Sequence, residues 1–157
     1  MTTPRHSVSV AATIVRPDGR ILVTQRRDNG AWEPPGGVLE LAEDIHAGVR
    51  REVREETGLD LDVERLTGVY KHMEAAVVAL MFRGRPAGGT LTVNDEVRDF
   101  RWIRPEEVPA LLTEVFAVRV FDALGGSDVR VRAHDGRTVL GAAPDQSPST
   151  RTSSWSS

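Results

Sequence analysis

The sequence has no cysteine in its 157 residues, which excludes disulfide bonds and thiolate metal sites. It also lacks an excess of basic charge: the formal net charge is −3 at pH 7, which disfavours a nucleic-acid or membrane surface. No apolar run reaches transmembrane length, and the first residues, MTTPRHSVSV, lack the apolar core of a signal peptide. We therefore expect a protein of the reducing cytoplasm, with neither nucleic acid nor a membrane as partner.

The composition that is present is typical of one globular domain. Hydrophobic residues make up 39% of the chain and charged residues 27%, and 157 residues are enough to bury one core. We interpret residues 1–141 as this domain. Residues 142–157 are polar and low in complexity, and we interpret them as a flexible C-terminal tail.

Local patterns predict the order of the secondary structure. Alternating or β-branched segments predict strands over residues 7–15, 21–25, 61–70, 75–82, 90–93 and 97–103. Turn residues at 17–19 predict that the first two strands form a hairpin, those at 85–89 predict a second turn, and residues 129–140 predict a terminal hairpin. Helices are predicted over residues 44–57 and from Pro105 to about residue 124. This order indicates a mixed sheet with helices on its faces.

The helix predicted over residues 44–57 carries three glutamates on one face. Glu52, Glu55 and Glu56 follow one another at helical steps, and like charges at such spacing destabilise an isolated helix. A divalent cation such as Mg²⁺ would turn this repulsion into binding, because it prefers oxygen ligands and sites that include substrate phosphates. Taken alone, however, such a cluster more often marks a solvated helix face that is paired with neighbouring arginines.

The residues that precede the glutamates decide between these interpretations. Gly37 is followed after five residues by Glu43, and Glu43 after seven residues by REVREETGL, which begins at Arg51. This spacing resembles the signature of the Nudix hydrolase (MutT-like) family, G-x5-E-x7-R-E-U-x-E-E-x-G-U with U aliphatic, and every fixed position is met over 23 consecutive residues. The resemblance implies an α/β fold, a Nudix-type α/β/α sandwich with a mixed central sheet.

The resemblance also implies a metal site and a reaction. Glu52, Glu55, Glu56 and Glu96 would hold one or more Mg²⁺ or Mn²⁺ ions, and Gly36 would add a backbone carbonyl. The general base is left open among Glu55, Glu56 and Glu96. The implied reaction is the attack of metal-activated water on a phosphorus of a nucleoside diphosphate linked to a group X.

Four further positions of the signature are expected to shape the site without contacting the phosphates. Arg51 would pair with Glu43 in the bidentate geometry that arginine favours, and hold the loop against the helix. Gly37 and Gly58 would serve backbone conformation.

Two residues outside the signature are candidates for substrate binding. Arg26 ends a predicted strand where family members often place a basic residue near the phosphates, but a surface arginine is an equal alternative. Trp32 precedes the Gly36–Gly37 turn, where it would stack on a base or belong to the core.

Two alternatives to the enzyme are a non-catalytic Nudix-like nucleotide-binding module and an acidic partner surface on an unrelated α/β domain. The complete set of glutamates favours the enzyme over both. Its small-molecule substrate is left open among nucleoside triphosphates, oxidised nucleotides, nucleotide sugars and dinucleoside polyphosphates. A homodimer is also left open, because many relatives dimerise.

Overall fold

The computed structural model describes residues 2–141, and the tail predicted over residues 142–157 lies outside the described residues. The strands are β1 (Ser7–Ile14), β2 (Ile21–Arg26), β3 (Trp32–Glu33), β4 (Gly36–Val38), β5 (Leu59–His72), β6 (Val77–Gly89), β7 (Val97–Ile103) and β8 (Arg130–His134). The α-helices are α1 (Ile45–Thr57), α2 (Val108–Leu111) and α3 (Glu114–Leu124), and a short 3-10 helix spans Pro105–Glu107. Within the described part of the chain, no helix is long and apolar enough to cross a membrane.

The strands form two sheets. The larger sheet has the order β4-β1-β6-β5-β8, in which β1 pairs in parallel with β6, and β5 in parallel with β8. The pairs β1–β4 and β5–β6 are antiparallel, so the sheet is mixed. The smaller sheet, β3-β2-β7, is antiparallel. The predicted α/β fold with a mixed central sheet is confirmed.

The predicted hairpin between the first two strands is reduced to its turn and one bridge. Val15, directly after β1, pairs antiparallel with Ile21 at the start of β2, whereas β1 itself belongs to the larger sheet and β2 to the smaller one. The turn at residues 17–19 therefore reverses the chain without setting the partner of either strand, since local turn chemistry carries no information about distant strands.

The structure contradicts the turn predicted at residues 85–89 and the strand predicted at residues 90–93. β6 continues to Gly89, which pairs with Leu59 at the start of β5. The following segment is irregular and bonds to the end of α1: Thr92 N–H donates to the Thr57 carbonyl at 3.0 Å. The terminal hairpin predicted over residues 129–140 is reduced to β8 and a bridge between His134 and Val139.

Helix α1 begins and ends where the sequence predicts. Asp44 caps it by accepting a hydrogen bond from Ala47 N–H at 2.8 Å, and Gly58 follows its last turn with φ +81°. Val49 and Val53 are fully buried against β1 and β5, whereas the preceding step of the same stripe, Ile45, is 41% exposed. Burial of this narrow stripe fixes the helix, so its glutamates face a cavity on another side.

Candidate functional site

A cavity of about 720 Å³ opens beside α1 and collects most of the predicted site residues. Helix α1 contributes its three glutamates, β4 contributes two glycines, and the segment before β7 contributes two further acids. The lining residues from these elements are Glu52, Glu55, Glu56, Gly36, Gly37, Asp95 and Glu96. The segment from the end of β2 to β3 completes the lining with Arg26, Arg27, Asp28 and Glu33.

Glu52 is the most deeply placed of these carboxylates. It is 9% exposed and accepts a hydrogen bond from Arg51 Nη1 at 2.9 Å. Burial raises the pKa of Glu52; the Arg51 guanidinium opposes the rise, and the negative charges of Glu55 and Glu96 add to it. A side chain at Gly37 would overlap the Glu52 carboxylate, so glycine there lets this carboxylate keep its position.

Glu56 is half-buried and bonds to β4. Its Oε2 accepts from the Gly36 N–H at 3.1 Å. Burial raises the pKa of Glu56 to about 8, the bond from Gly36 opposes the rise, and the charges of Glu52, Glu33 and Glu96 reinforce it. These carboxylates therefore lie close enough together to disfavour one another's charge. Gly36, predicted to offer a carbonyl to the metal, offers its N–H to Glu56 in this structure.

Arg51 joins the loop before α1 to the glutamates of the helix. It donates to both carboxylate oxygens of Glu43, at 2.8 and 2.6 Å, and to the Val38 carbonyl at 3.1 Å. Its Nη1 also donates to Glu52 at 2.9 Å and to Glu55 at 3.1 Å. The guanidinium holds the pKa of Glu43 down to about 2 through these hydrogen bonds. In this arrangement Arg51 also neutralises part of the acidic helix face.

A loop residue that the sequence left unassigned, Asn94, positions Glu96. Its Nδ2 donates to the Glu56 carbonyl at 2.8 Å, and its Oδ1 accepts from the N–H groups of Glu96 at 2.9 Å and Val97 at 3.0 Å. Asn94 thereby ties the exposed Glu96 to the end of α1. The available signal was an asparagine two residues before the acid, a spacing at which its side chain bonds the following backbone.

The two predicted substrate-binding residues lie in different places. Arg26 lines the cavity, where it pairs with Asp28 at 2.6 Å and Glu33 at 3.2 Å. Trp32 does not line the cavity; its ring lies 4.7 Å from the Arg101 guanidinium and packs on the core between β2 and α3. A role for either residue in substrate binding stays a prediction.

Carboxylates are the ligands that a hard divalent cation prefers, but in this structure their side chains do not converge on one point. Among residues 2–141, no three acidic or histidine side chains are close enough together to hold a metal ion. Glu52 and Glu55 are instead drawn to Arg51, and Glu56 to Gly36. Mg²⁺ and Mn²⁺ prefer carboxylate oxygen ligands. A bound cation would also relieve the repulsion by which these carboxylates raise one another's pKa.

Comparison with known proteins agrees with this geometry. The NUDIX domain family matches residues 5–124, which span β1 to α3 and include every predicted site residue. The chain belongs to this family. As a Nudix protein it is a hydrolase, and the prediction of an enzyme is confirmed. Nudix hydrolases act on small nucleotide substrates and generally use divalent metal ions.

Three relatives illustrate the resemblance. A MutT-like protein from Streptomyces ambofaciens is 50% identical over 139 residues, covering 88% of this chain and 90% of the relative. An ADP-ribose pyrophosphatase from Methanocaldococcus jannaschii is 30% identical over 113 residues, covering 68% of this chain and 67% of the relative. The crystal structure of a MutT Nudix hydrolase from Burkholderia pseudomallei is 30% identical with a TM-score of 0.67, covering 76% of this chain and 98% of that one.

Proposed function

We propose that this Nudix hydrolase cleaves a pyrophosphate bond in a nucleoside diphosphate linked to a group X. In this proposal Mg²⁺ or Mn²⁺ is held by Glu52, Glu55, Glu56 and Glu96, with the backbone carbonyl of Gly36. The observation that carries the proposal is that α1 and the segment before β7 direct four carboxylates into one cavity of about 720 Å³. This volume admits a nucleotide-sized ligand.

In the proposed reaction the metal ion and the protein side chains have different roles. A bound divalent cation neutralises charge on the phosphates and lowers the pKa of water. Glu52 and Glu56 face the cavity from positions fixed by Arg51 and Gly36. The proton acceptor is left open among Glu55, Glu56 and Glu96. Glu55 has 60% of its side chain exposed but is paired with Arg51, and Glu56 is bonded to Gly36.

Arg26, which lines the same cavity, is proposed to bind the phosphates. It already contacts Asp28 and Glu33, so a phosphate would compete with these carboxylates for the guanidinium. Releasing Asp28 costs little, because its side chain is 62% exposed. Releasing Glu33, whose side chain is only 16% exposed, costs more.

A substrate panel tests the proposal. Nucleoside triphosphates, oxidised nucleotides, ADP-ribose, nucleotide sugars and dinucleoside polyphosphates are incubated with Mg²⁺ or Mn²⁺, and release of monophosphate, pyrophosphate and phosphate is measured. We expect cleavage of a pyrophosphate bond in at least one class. Metal-dependent nucleotide binding without turnover of any compound would favour the alternative, a non-catalytic nucleotide-binding module.

The variant Glu56→Gln tests the site itself. We expect it to abolish turnover and to weaken the rise in melting temperature that Mg²⁺ or Mn²⁺ produces, while the fold stays intact. Glu74→Gln, an exposed residue outside the cavity, is the control and should change neither quantity. Substantial turnover by Glu56→Gln would refute the assignment.

Homodimerisation and a cytoplasmic location stay predictions.

A further inference from the structure

A second cavity adjoins the cavity lined by Glu52, Glu55, Glu56 and Glu96; we call the first the acidic cavity and the second the back cavity. The back cavity has a volume of about 280 Å³ and shares Glu33, Gly36 and Gly37 with the acidic cavity. Apolar side chains from β1, β6 and α3 form most of its walls. Since a volume of this size is near the lower end for small-molecule sites, the back cavity suits one planar group rather than a whole nucleotide.

A buried arginine with unsatisfied hydrogen bonding faces the back cavity. Arg119 on α3 is 8% exposed, and its guanidinium lies over the rings of Tyr70, at 4.9 Å, and Phe116, at 5.3 Å. Its Nε is buried and has no hydrogen-bond partner among the described residues. A buried guanidinium is costly unless it is hydrogen-bonded. Glu33 lines the same cavity and its charge acts on Arg119, but its carboxylate is hydrogen-bonded to Arg26 and not to Arg119, so this position calls for a further acceptor.

The neighbouring histidine adds a second donor. The Gly136 N–H donates to His134 Nδ1 at 3.0 Å, so Nδ1 is unprotonated. Burial and the charge of Arg119 lower the pKa of His134, and the neutral ring therefore carries its proton on Nε2. This N–H lies 3.2 Å from Arg119 Nη2, which is also a donor. The two donors cannot satisfy each other, but one acceptor in the back cavity can satisfy both.

We propose that Arg119 and His134 select substrates by the carbonyl edge of the base, favouring guanine and uracil over adenine and cytosine. Guanine presents the adjacent acceptors O6 and N7, which match the arginine fork, and uracil presents O4. Adenine and cytosine present amino groups at the equivalent places, and these would oppose the protein's donors. The inference rests on the proposed function, which puts the diphosphate among the carboxylates. Because the two cavities share Glu33, Gly36 and Gly37, a base attached to that diphosphate can enter the back cavity.

Binding of nucleoside monophosphates to the full-length protein without metal tests the inference. Isothermal titration is carried out with GMP, UMP, AMP and CMP, and we expect GMP and UMP to bind about tenfold more tightly than AMP and CMP. Arg119→Met keeps much of the apolar stem and removes the donors, so the preference should fall to about twofold or less. Arg130→Gln changes an exposed arginine on β8 and should keep the preference. Melting curves establish that both variants are folded.

Three outcomes would overturn the inference. They are equal binding of the four monophosphates by the unaltered protein, an undiminished preference in a folded Arg119→Met variant, and binding of ribose 5-phosphate as tight as that of GMP. The last result would mean that an anion rather than a base occupies the place beside Arg119. Because these measurements need no turnover, hydrolysis without base preference contradicts this inference alone. A base preference without hydrolysis contradicts the proposed function alone.

Discussion

Gly36 and Gly37 are adjacent in β4, yet the structure predicts different consequences when each is replaced by alanine. A Cβ at Gly36 would meet the backbone of β1, with the Val10 carbonyl oxygen at 2.5 Å and the Ala11 Cα at 2.7 Å. The nearest atoms to a Cβ at Gly37 belong to the carboxylate of Glu52, with Oε1 at 2.6 Å. The first obstacle is rigid backbone, whereas the second is the end of a side chain that can rotate.

The two substitutions should therefore differ in their effects on stability and on kcat/KM. Gly36→Ala must separate β1 from β4, and overpacking of this kind costs about 1–3 kcal/mol. In a domain of this size that loss lowers the melting temperature by roughly 5 °C. Gly37→Ala displaces the Glu52 carboxylate and weakens its bond to Arg51, which costs about 1 kcal/mol. Because displacement of a site group by an ångström costs about a hundredfold in rate, kcat/KM should fall by about that factor.

Urea unfolding and steady-state kinetics separate the two effects. Unfolding is measured for both variants without metal, and kcat/KM is measured with Mg²⁺ on the nucleotide that is turned over fastest. Gly126→Ala is the control, because its Cβ would meet nothing within 4 Å and its φ does not lie in the left-handed region. Unchanged kcat/KM in Gly37→Ala, or a loss of stability equal to that of Gly36→Ala, would refute the reasoning.

Two further predictions concern polar contacts outside the glycine strand β4. Burial acts to raise the pKa of Asp122, but the hydrogen bonds that this carboxylate accepts from Arg132 and Tyr70 lower the pKa overall. The charged carboxylate therefore stabilises the fold above about pH 4, and this stabilisation is lost as the pH falls through the lowered pKa. Asp122→Asn should therefore reduce the free energy of unfolding by about 1–3 kcal/mol at pH 7 and by less at pH 3 in urea titrations; an equal loss at both values would contradict this. Asn94→Ala releases the segment that carries Glu96 from the end of α1, so kcat/KM should fall with little change in melting temperature. Amide hydrogen exchange should become faster at Glu96, and unchanged exchange would exclude this explanation.

Helix α1 could be predicted closely because each of its signals is local. A capping aspartate, a glycine after the last turn and apolar residues at steps of four lie within one short segment. In the structure Asp44 accepts the capping bond, and Gly58 takes the left-handed conformation that glycine favours. The spacing of the glutamates along the helix then sets their common face without reference to the rest of the chain.

Strand pairing could not be predicted in the same way, because it depends on distant partners. Turn residues at 85–89 are locally indistinguishable from the end of a hairpin, yet β6 runs through them. The antiparallel partner β5 begins at Leu59, directly after Gly58, and so reaches Gly89. The extension of β6 thus follows from where α1 ends, about thirty residues earlier in the chain.

Arg119 was missed for a related reason: it belongs to no motif and becomes notable through packing. The available signal was its place on the helix, since Arg119 and Asp122 follow Val115 at steps of four and seven and share its buried face. Two charged residues on a buried face predict partners from other elements. Asp122 has such partners in Tyr70 and Arg132, whereas the Arg119 guanidinium faces a cavity.

The two cavities also bear on why one set of glutamates can serve different substrates. The acidic cavity takes its carboxylates from α1 and the segment before β7, whereas the back cavity takes its donors from α3 and β8. Glu33, Gly36 and Gly37 are the lining residues common to both. On the proposals made above, substitutions on α3 would change which base is accepted while the carboxylates stay in place. The relative named as an ADP-ribose pyrophosphatase is compatible with such a division, because a shared fold does not fix the substrate.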